Sequence, residues 1–271
     1  MFVTVNGKQI STEKTTLFAL RDSQYPEQKA DMIVSIVNGY QSNTDVSLKE
    51  DDEITYIPKG VMPRKEELER MMCARHTPKV HEKVKQAHVA IAGLGGLGSN
   101  IAISLARTGV GHLHLIDFDI VEPSNLNRQQ YKIKHLGMYK ADALKQEIKE
   151  INPFIEVKTD IVKITEQNVG NLLREEDLVC EAFDNPETKA MLVNKVLSEF
   201  PEKKIVAASG MAGYDSSNQI YTQKKMKNFY LCGDQQSEAH QGNGLMAPRV
   251  MICAGHQANM ILRLIVNETE A

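Results

Sequence analysis

His88-Val-Ala-Ile-Ala-Gly93-Leu-Gly95-Gly96-Leu-Gly98-Ser-Asn-Ile-Ala-Ile-Ser-Leu-Ala-Arg-Thr108 decides the fold. It opens on a short apolar run, Val89 to Ala92. A glycine cluster follows, and then apolar residues at helical spacing: Ile101, Leu105 and Val110. That order reads as strand, glycine turn, helix. Gly93, Gly95 and Gly98 fit G-x-G-x-x-G, the dinucleotide fingerprint, with Gly96 beside them. Such glycines allow a tight turn, let a phosphate approach the backbone, and let helix and strand pack closely. The helix N-terminus then offers free N–H groups and a partial positive charge to an anion. An ordinary tight turn would use glycines too, but the flanking strand and helix favour nucleotide binding.

Outward from this stretch the pattern alternates. The sequence predicts a strand over His112–Ile116, a helix over Lys140–Ile151 and a strand over Ile155–Val162. It then predicts a helix over Glu166–Arg174, a strand over Asp177–Ala182, a helix over Pro186–Phe200 and a strand over Lys204–Ala208. This is the signature of a doubly wound α/β domain. Ligands in such sheets bind beyond the C-terminal ends of the strands. The glycine turn, Asp117-Phe118-Asp119 and Phe183-Asp184-Asn185 all follow such ends and should converge. Tyr214 to Pro248 is poor in pattern and reads as a partly mobile crossing loop. Arg249 to Val266 reads as a strongly apolar last helix, for core or dimer packing.

Residues 1–62 read as a small unit of their own. Asn6-Gly7 and Asn38-Gly39 are two-residue turn signals. Leu48 to Ile57 carries an acidic turn, Glu50 to Glu53, before its strand. Two hairpins around a short helix near Thr16–Arg21 make a small α+β β-grasp domain. This stretch resembles the ThiS-type sulfur carriers, of ubiquitin-like fold, in its VNG start, its internal IVNG and its acidic turn. Those carriers end in Gly-Gly, whose terminal carboxylate reacts. Here Gly60 is followed by Val61 and Met62, so the resemblance extends to the fold and not to the chemistry. Residues 63–75 read as a charged linker helix and residues 76–271 as the nucleotide-binding domain.

A chain of 271 residues suits one large domain or two unequal ones. Its net charge of -3 gives no support for a nucleic-acid or membrane-surface role. No window approaches the roughly 20 uninterrupted apolar residues of a membrane helix. The N-terminus lacks the basic and apolar regions of a signal peptide. Cys73, Cys180, Cys232 and Cys253 are scattered, as in a cytoplasmic protein with reduced thiols.

Asp117 lies a little over twenty residues after the glycine turn begins, at the end of the second strand, where an acid grips ribose hydroxyls. That position serves an NAD enzyme and an ATP enzyme equally. The polar loop Val121 to Gln130 separates them, because a dehydrogenase has no use for it. Arg128 offers a planar fork of donors to phosphate oxygens. Lys140 adds a point charge. Asp184 and Asn185 supply hard oxygens of the kind Mg²⁺ takes beside phosphates.

Gly93–Ser99, Asp117–Asp119, Ser124-Asn-Leu-Asn-Arg-Gln129 and Asp184-Asn185 together resemble the ThiF/MoeB/HesA family, relatives of the ubiquitin-activating enzymes, over about residues 75–266. The resemblance implies an adenylyltransferase. With ATP it would activate the C-terminal glycine of a separate Gly-Gly-ended sulfur carrier, releasing pyrophosphate. The fused ThiS-like unit points to thiamine thiazole biosynthesis. Within the family the alternatives are a molybdopterin-type activator and a tRNA-modifying dehydratase. Outside it stand a non-catalytic carrier-binding scaffold and an NAD-binding oxidoreductase. The resemblance assigns the nucleotide site to Gly93, Gly95, Gly96, Gly98, Asp117, Asp119, Asn125, Arg128, Gln129, Lys140, Asp184 and Asn185. Asp117 would hold ribose, Arg128 and Lys140 the phosphates, and Asp184 the magnesium. It also implies a homodimer, with Arg75 the nearest candidate to reach a partner subunit's site. Many members bind structural zinc through two C-x-x-C pairs; this chain has none, so no zinc is expected. Some members use a crossing-loop cysteine for a covalent carrier link, where Cys232 falls, although no flanking positive charge marks it as reactive.

Overall fold

Asn6 and Gly7 both take positive φ, 46° and 78°, as a type I′ hairpin turn requires. The same geometry recurs at Asn38 and Gly39, φ 50° and 81°. A computed structural model describes residues 1–271 and divides them into two compact units, Met1–Glu82 and Lys83–Ala271.

In the first unit the two turns join β1 (Phe2–Val5) to β2 (Lys8–Ser11) and β3 (Ile33–Val37) to β4 (Tyr40–Gln41). Helix α1 (Leu17–Gln24) lies between the hairpins in the chain and β5 (Glu53–Pro58) follows them. The sheet order is β2-β1-β5-β3-β4, with β1 and β5 parallel and the other pairs antiparallel. That is the β-grasp arrangement. Val3, Val5, Leu17, Leu20, Ile33, Ile54 and Tyr56 form its core. The Tyr56 hydroxyl, buried among them, donates to the Leu17 carbonyl at 2.7 Å. Two helices follow, α2 (Lys65–Cys73) and α3 (Val80–Gln86). The helix expected over 63–75 is thus α2, and it lies within the first unit.

The second unit is a seven-stranded sheet. Its elements are β6 (His88–Ala92), α4 (Gly96–Thr108), β7 (His112–Ile116), α5 (Lys140–Ile151), β8 (Glu156–Asp160) and α6 (Val169–Leu172). They continue with β9 (Leu178–Glu181), α7 (Pro186–Glu199), β10 (Lys204–Ala208), β11 (Tyr221–Met226), β12 (Phe229–Gly233) and α8 (Ala247–Ile265). The strand order is β11-β12-β10-β9-β6-β7-β8, parallel throughout except for edge strand β11. The chain leaves β6 towards β7 and β8, then returns to place β9 on β6's other side. The order therefore reverses at β6, and the crevice beyond the C-terminal ends of β6 and β9 is the ligand position that such sheets favour. One core layer joins Ala90, Ala92, Val179 and Ile205 of the strands to Val169, Leu192 and Val196 of α6 and α7. Helices α4 and α8 pack against each other, and α8 also packs on β9, β10 and β12. The mixed α/β fold is the one expected: a doubly wound, Rossmann-like domain preceded by a β-grasp domain.

Three local expectations need correction. The crossing loop over Tyr214–Pro248 contains the antiparallel pair β11–β12, which extends the sheet. The helix expected over Glu166–Arg174 is one turn, Val169–Leu172. Cys232 stands on β12 and not in a loop. Helix α8 turns Val250, Cys253, Ala254, Met260, Ile261 and Leu264 into its own core, which leaves Met251 as its exposed large apolar residue. No helix is long and apolar enough to cross a membrane.

Candidate active site

The glycine turn begins where β6 ends. Gly93 has φ +89°, and a Cβ there would stand 2.9 Å from the Ala182 carbonyl oxygen after β9. Gly98 is the tighter requirement: a Cβ would lie 1.8 Å from the Gly93 carbonyl oxygen. Only glycine lets the first turn of α4 fold back on its own entry loop. Gly95 is the N-cap of α4, with no side-chain cap hydrogen bond and no acid in the first turn. The first-turn N–H groups of a 13-residue helix are therefore left for an outside acceptor.

The loops from neighbouring strands are tied to this turn. Asp117, buried after β7, accepts the Leu94 N–H through Oδ2 at 2.6 Å and the Asp119 N–H through Oδ1 at 2.8 Å. Burial pushes its carboxyl pKa up, against these hydrogen bonds and the nearby Lys140 charge. The Tyr131 hydroxyl donates to the Leu94 carbonyl at 2.7 Å. Lys140, also buried, donates to Asp119 Oδ2 at 2.8 Å, and its backbone N–H donates to the Asp119 carbonyl at 2.9 Å.

Residues 123–131 are stitched to α4 by side chains that the sequence reading passed over. Asn100 donates to the Gly96 and Arg128 carbonyls at 2.6 and 3.1 Å. Gln130 donates its side-chain amide to Asn100 Oδ1 at 2.7 Å, and its backbone N–H to Ser99 Oγ at 3.1 Å. A polar Ser-Asn pair in the first turns of α4, just before an apolar Ile-Ala-Ile run, is the signal that could have found them. The stitching lays the Arg128 side chain 3.6 Å from where a Gly96 Cβ would be, and the Gln129 amide nitrogen 3.9 Å from a Gly95 Cβ. Arg128 Nη1 donates to Ser124 O and Asn127 Oδ1 at 3.1 and 2.8 Å, while its Nε is buried without a partner. Gln129 Oε1 is likewise buried without one. These two unsatisfied polar atoms beside an uncapped helix end are what a ligand-receiving surface leaves open.

Several expected residues carry structural duties here. Asn125 Oδ1 accepts the Glu122 N–H at 3.0 Å and caps a short 3-10 turn. Asn185 is the N-cap of α7, its Oδ1 accepting from Glu187 and Thr188 at 2.9 and 3.0 Å. Asp184 is exposed on the loop after β9. It shares the strand-end face with the glycine turn through Gly93's contact with Ala182 and Phe183, but no hydrogen bond joins Asp184 or Asn185 to Arg128 or Lys140. Arg75, in the turn after α2, donates to Gln41 Oε1 within the first unit.

Cys232 and Cys253 are fully buried, and burial pushes their thiols up to about 11 and about 12. A buried, protonated thiol cannot act as the nucleophile for a covalent carrier link. Nearby, the segment between β12 and α8 is anchored by a buried pair that the sequence reading missed. Arg249 Nη2 donates to Asp234 Oδ2 at 2.6 Å, and Ser237 and Gln236 add hydrogen bonds to the same carboxylate. Burial alone would raise Asp234; the hydrogen bonds outweigh it and bring the carboxyl down to about 2.

Comparison with known proteins finds a family match for each unit. The ThiF family model matches residues 68–271, and the ThiS-like ubiquitin model matches residues 1–60. The chain belongs to the ThiF family. It is 31% identical over 151 residues to the adenylyltransferase and sulfurtransferase UBA4 of Eremothecium gossypii, a match covering 55% of this chain and 33% of that protein. It is 35% identical over 133 residues to the sulfur carrier protein adenylyltransferase of Thermus thermophilus, covering 47% of this chain and 49% of that one. The chain thus spans half or less of the length of these relatives. In fold it is similar to the E. coli tRNA N6-threonylcarbamoyladenosine dehydratase TcdA in complex with ATP. The TM-score is 0.68 at 22% identity, covering 77% of this chain and 98% of that one.

Proposed function

We propose that the second unit is an adenylyltransferase, which uses ATP to activate the C-terminal glycine of a separate ubiquitin-like sulfur carrier. The observation that carries this is the uncapped N-terminus of α4 with Arg128 and Gln129 held against its glycines. The carrier's carboxylate, already ionised at neutral pH, attacks the α-phosphorus in line. One O–P bond forms, the bond to the β-phosphate oxygen breaks, and pyrophosphate leaves with the electron pair. No general base is needed. Catalysis reduces to positioning and to stabilising negative charge. The α4 N–H groups and the Arg128 guanidinium meet phosphate oxygens. Lys140 does so in competition with Asp119, its partner in this structure, and Asp117 fixes the loop on which ribose would rest. The exposed carboxylate of Asp184 is a hard oxygen donor suited to Mg²⁺, which when bound would neutralise phosphate charge.

The names of the relatives support a sulfur-carrier substrate, and the ThiS-like first unit supports the thiazole branch of thiamine biosynthesis. A homodimer in the cytoplasm belongs to the same proposal; sedimentation at micromolar concentration checks the dimer. Calorimetry tests nucleotide choice. ATP with magnesium should give a binding isotherm and NAD none, whereas NAD binding without ATP binding would overturn the proposal.

A further inference from the structure

Outside the nucleotide site, one cluster brings together side chains of metal-binding type. Cys73 ends α2, His76 sits in the turn that follows, and His81 lies in the first turn of α3. One ligand atom from each lies within 4.8 Å of the other two. The turn that gathers them is built for it. The His76 N–H donates to the Cys73 carbonyl at 2.8 Å, and Val80 N–H to Thr77 O at 3.2 Å. Lys79 takes φ +65° to reverse the chain into α3. Gly39, also at positive φ, lets the His76 carbonyl approach within 2.4 Å of where a Cβ would stand.

Each histidine ring keeps a buried Nδ1 with no hydrogen-bond partner. Buried polar atoms are rarely left so, and an ion is one of the few explanations. On its other side, His81 Nε2 faces Glu69 Oε1 at 3.9 Å, as a ring that binds metal through one nitrogen and meets a carboxylate through the other commonly does. The ring centroids of His76 and His81 are 6.0 Å apart and tilted by 55°, not stacked.

We propose that Cys73, His76 and His81 bind one divalent ion of zinc type, clipping the end of α2 to the start of α3. One thiolate and two imidazoles are a donor set for zinc rather than for magnesium or calcium. Zinc bonds of about 2.0–2.3 Å place tetrahedral ligand atoms roughly 3.3–3.8 Å apart, so the three atoms need to close by about 1 Å. The fourth position is left to water. The pattern C-x2-H-x4-H escapes the expectation of no zinc, which rested on the absence of C-x-x-C pairs. The ion makes the turn's geometry a bound state, so its affinity adds to the stability of the first unit.

The test uses the intact chain, stripped with chelator and titrated with Co²⁺. One equivalent should produce a thiolate-to-cobalt charge-transfer band, displaced by Zn²⁺ and absent in Cys73→Ser. His81→Gln should weaken binding by more than the about 10–100-fold typical of losing an outer-sphere partner. A readout without substitutions is available, because Cys180, Cys232 and Cys253 are buried and only Cys73 reaches the surface. One equivalent of Zn²⁺ should slow iodoacetamide alkylation of Cys73, mapped by peptide mass spectrometry, at least about tenfold, since the attacking thiolate is engaged by the ion. An unchanged alkylation rate, or a charge-transfer band that survives Cys73→Ser, overturns the proposal.

Discussion

Gly60 and Gly98 show how differently the two units use the same residue. At Gly60, φ is +73° and a Cβ would meet nothing within 4 Å. The glycine is there only to turn the chain beyond β5. At Gly98 a Cβ would meet the Gly93 carbonyl oxygen at 1.8 Å. Backbone packs on backbone there, and the α4 N-terminus is drawn up to the entry loop. The first unit has the carrier's fold but holds its candidate tail glycine inside the chain, followed by exposed Val61 and Met62. The second has the packed glycines that an anion needs. A resemblance in fold marks the first unit as carrier-like, whereas the local backbone of the second is what the proposed nucleotide site rests on.

The largest expected effect concerns what holds the second unit besides its glycines. Asp234→Ala leaves Arg249, 3% exposed, without its carboxylate, and removing one partner of such a buried pair costs about 3–5 kcal/mol. Denaturant unfolding of the variant reads this, and an unchanged midpoint would mean that the pair is not what anchors the segment before α8. The wild-type pair has its own pH signature. Because the folded carboxyl titrates at about 2, below the ordinary value near 3.9, its contribution is present above about pH 4 and is lost as pH falls towards 2.

The two glycines differ next. Gly98→Ala forces a backbone shift. Overpacking of that kind costs about 1–3 kcal/mol, and ATP binding measured by calorimetry should be lost with it. Gly60→Ala meets no atoms and carries only the left-handed backbone cost of about 1–2 kcal/mol, confined to the first unit, with ATP binding intact. Equal loss of ATP affinity in both variants would erase the distinction.

Much of this was legible in the sequence because it rests on local backbone needs. Asn6-Gly7, Asn38-Gly39 and the glycine turn each announce a conformation that few other residues adopt. Strand β11 was not legible. Tyr221-Thr-Gln-Lys-Lys-Met226 lies at the sheet edge with no buried residue on either face, so it lacks the apolar alternation that signals a strand. Arg128 and Lys140 stood out in the sequence as cations beside the predicted glycine turn, and the structure puts the Arg128 side chain against Gly96 and pairs Lys140 with Asp119. The hydrogen bonds of Asn100, Gln130 and Tyr131 were not legible, because they reach residues 28, 30 and 37 positions away. The capping roles of Asn125 and Asn185 were not legible either, because a capping asparagine and a ligand asparagine look alike in sequence.

The most direct measurement is ATP–pyrophosphate exchange by the intact chain with a panel of separate carriers ending in Gly-Gly. Exchange should appear only when a matching carrier is present, and Arg128→Ala should slow it about 100-fold or more, the scale of losing one charge-stabilising donor. No AMP should attach to residues 1–60. ATP binding without exchange for any carrier, or stoichiometric AMP on the first unit, would contradict activation of a separate carrier.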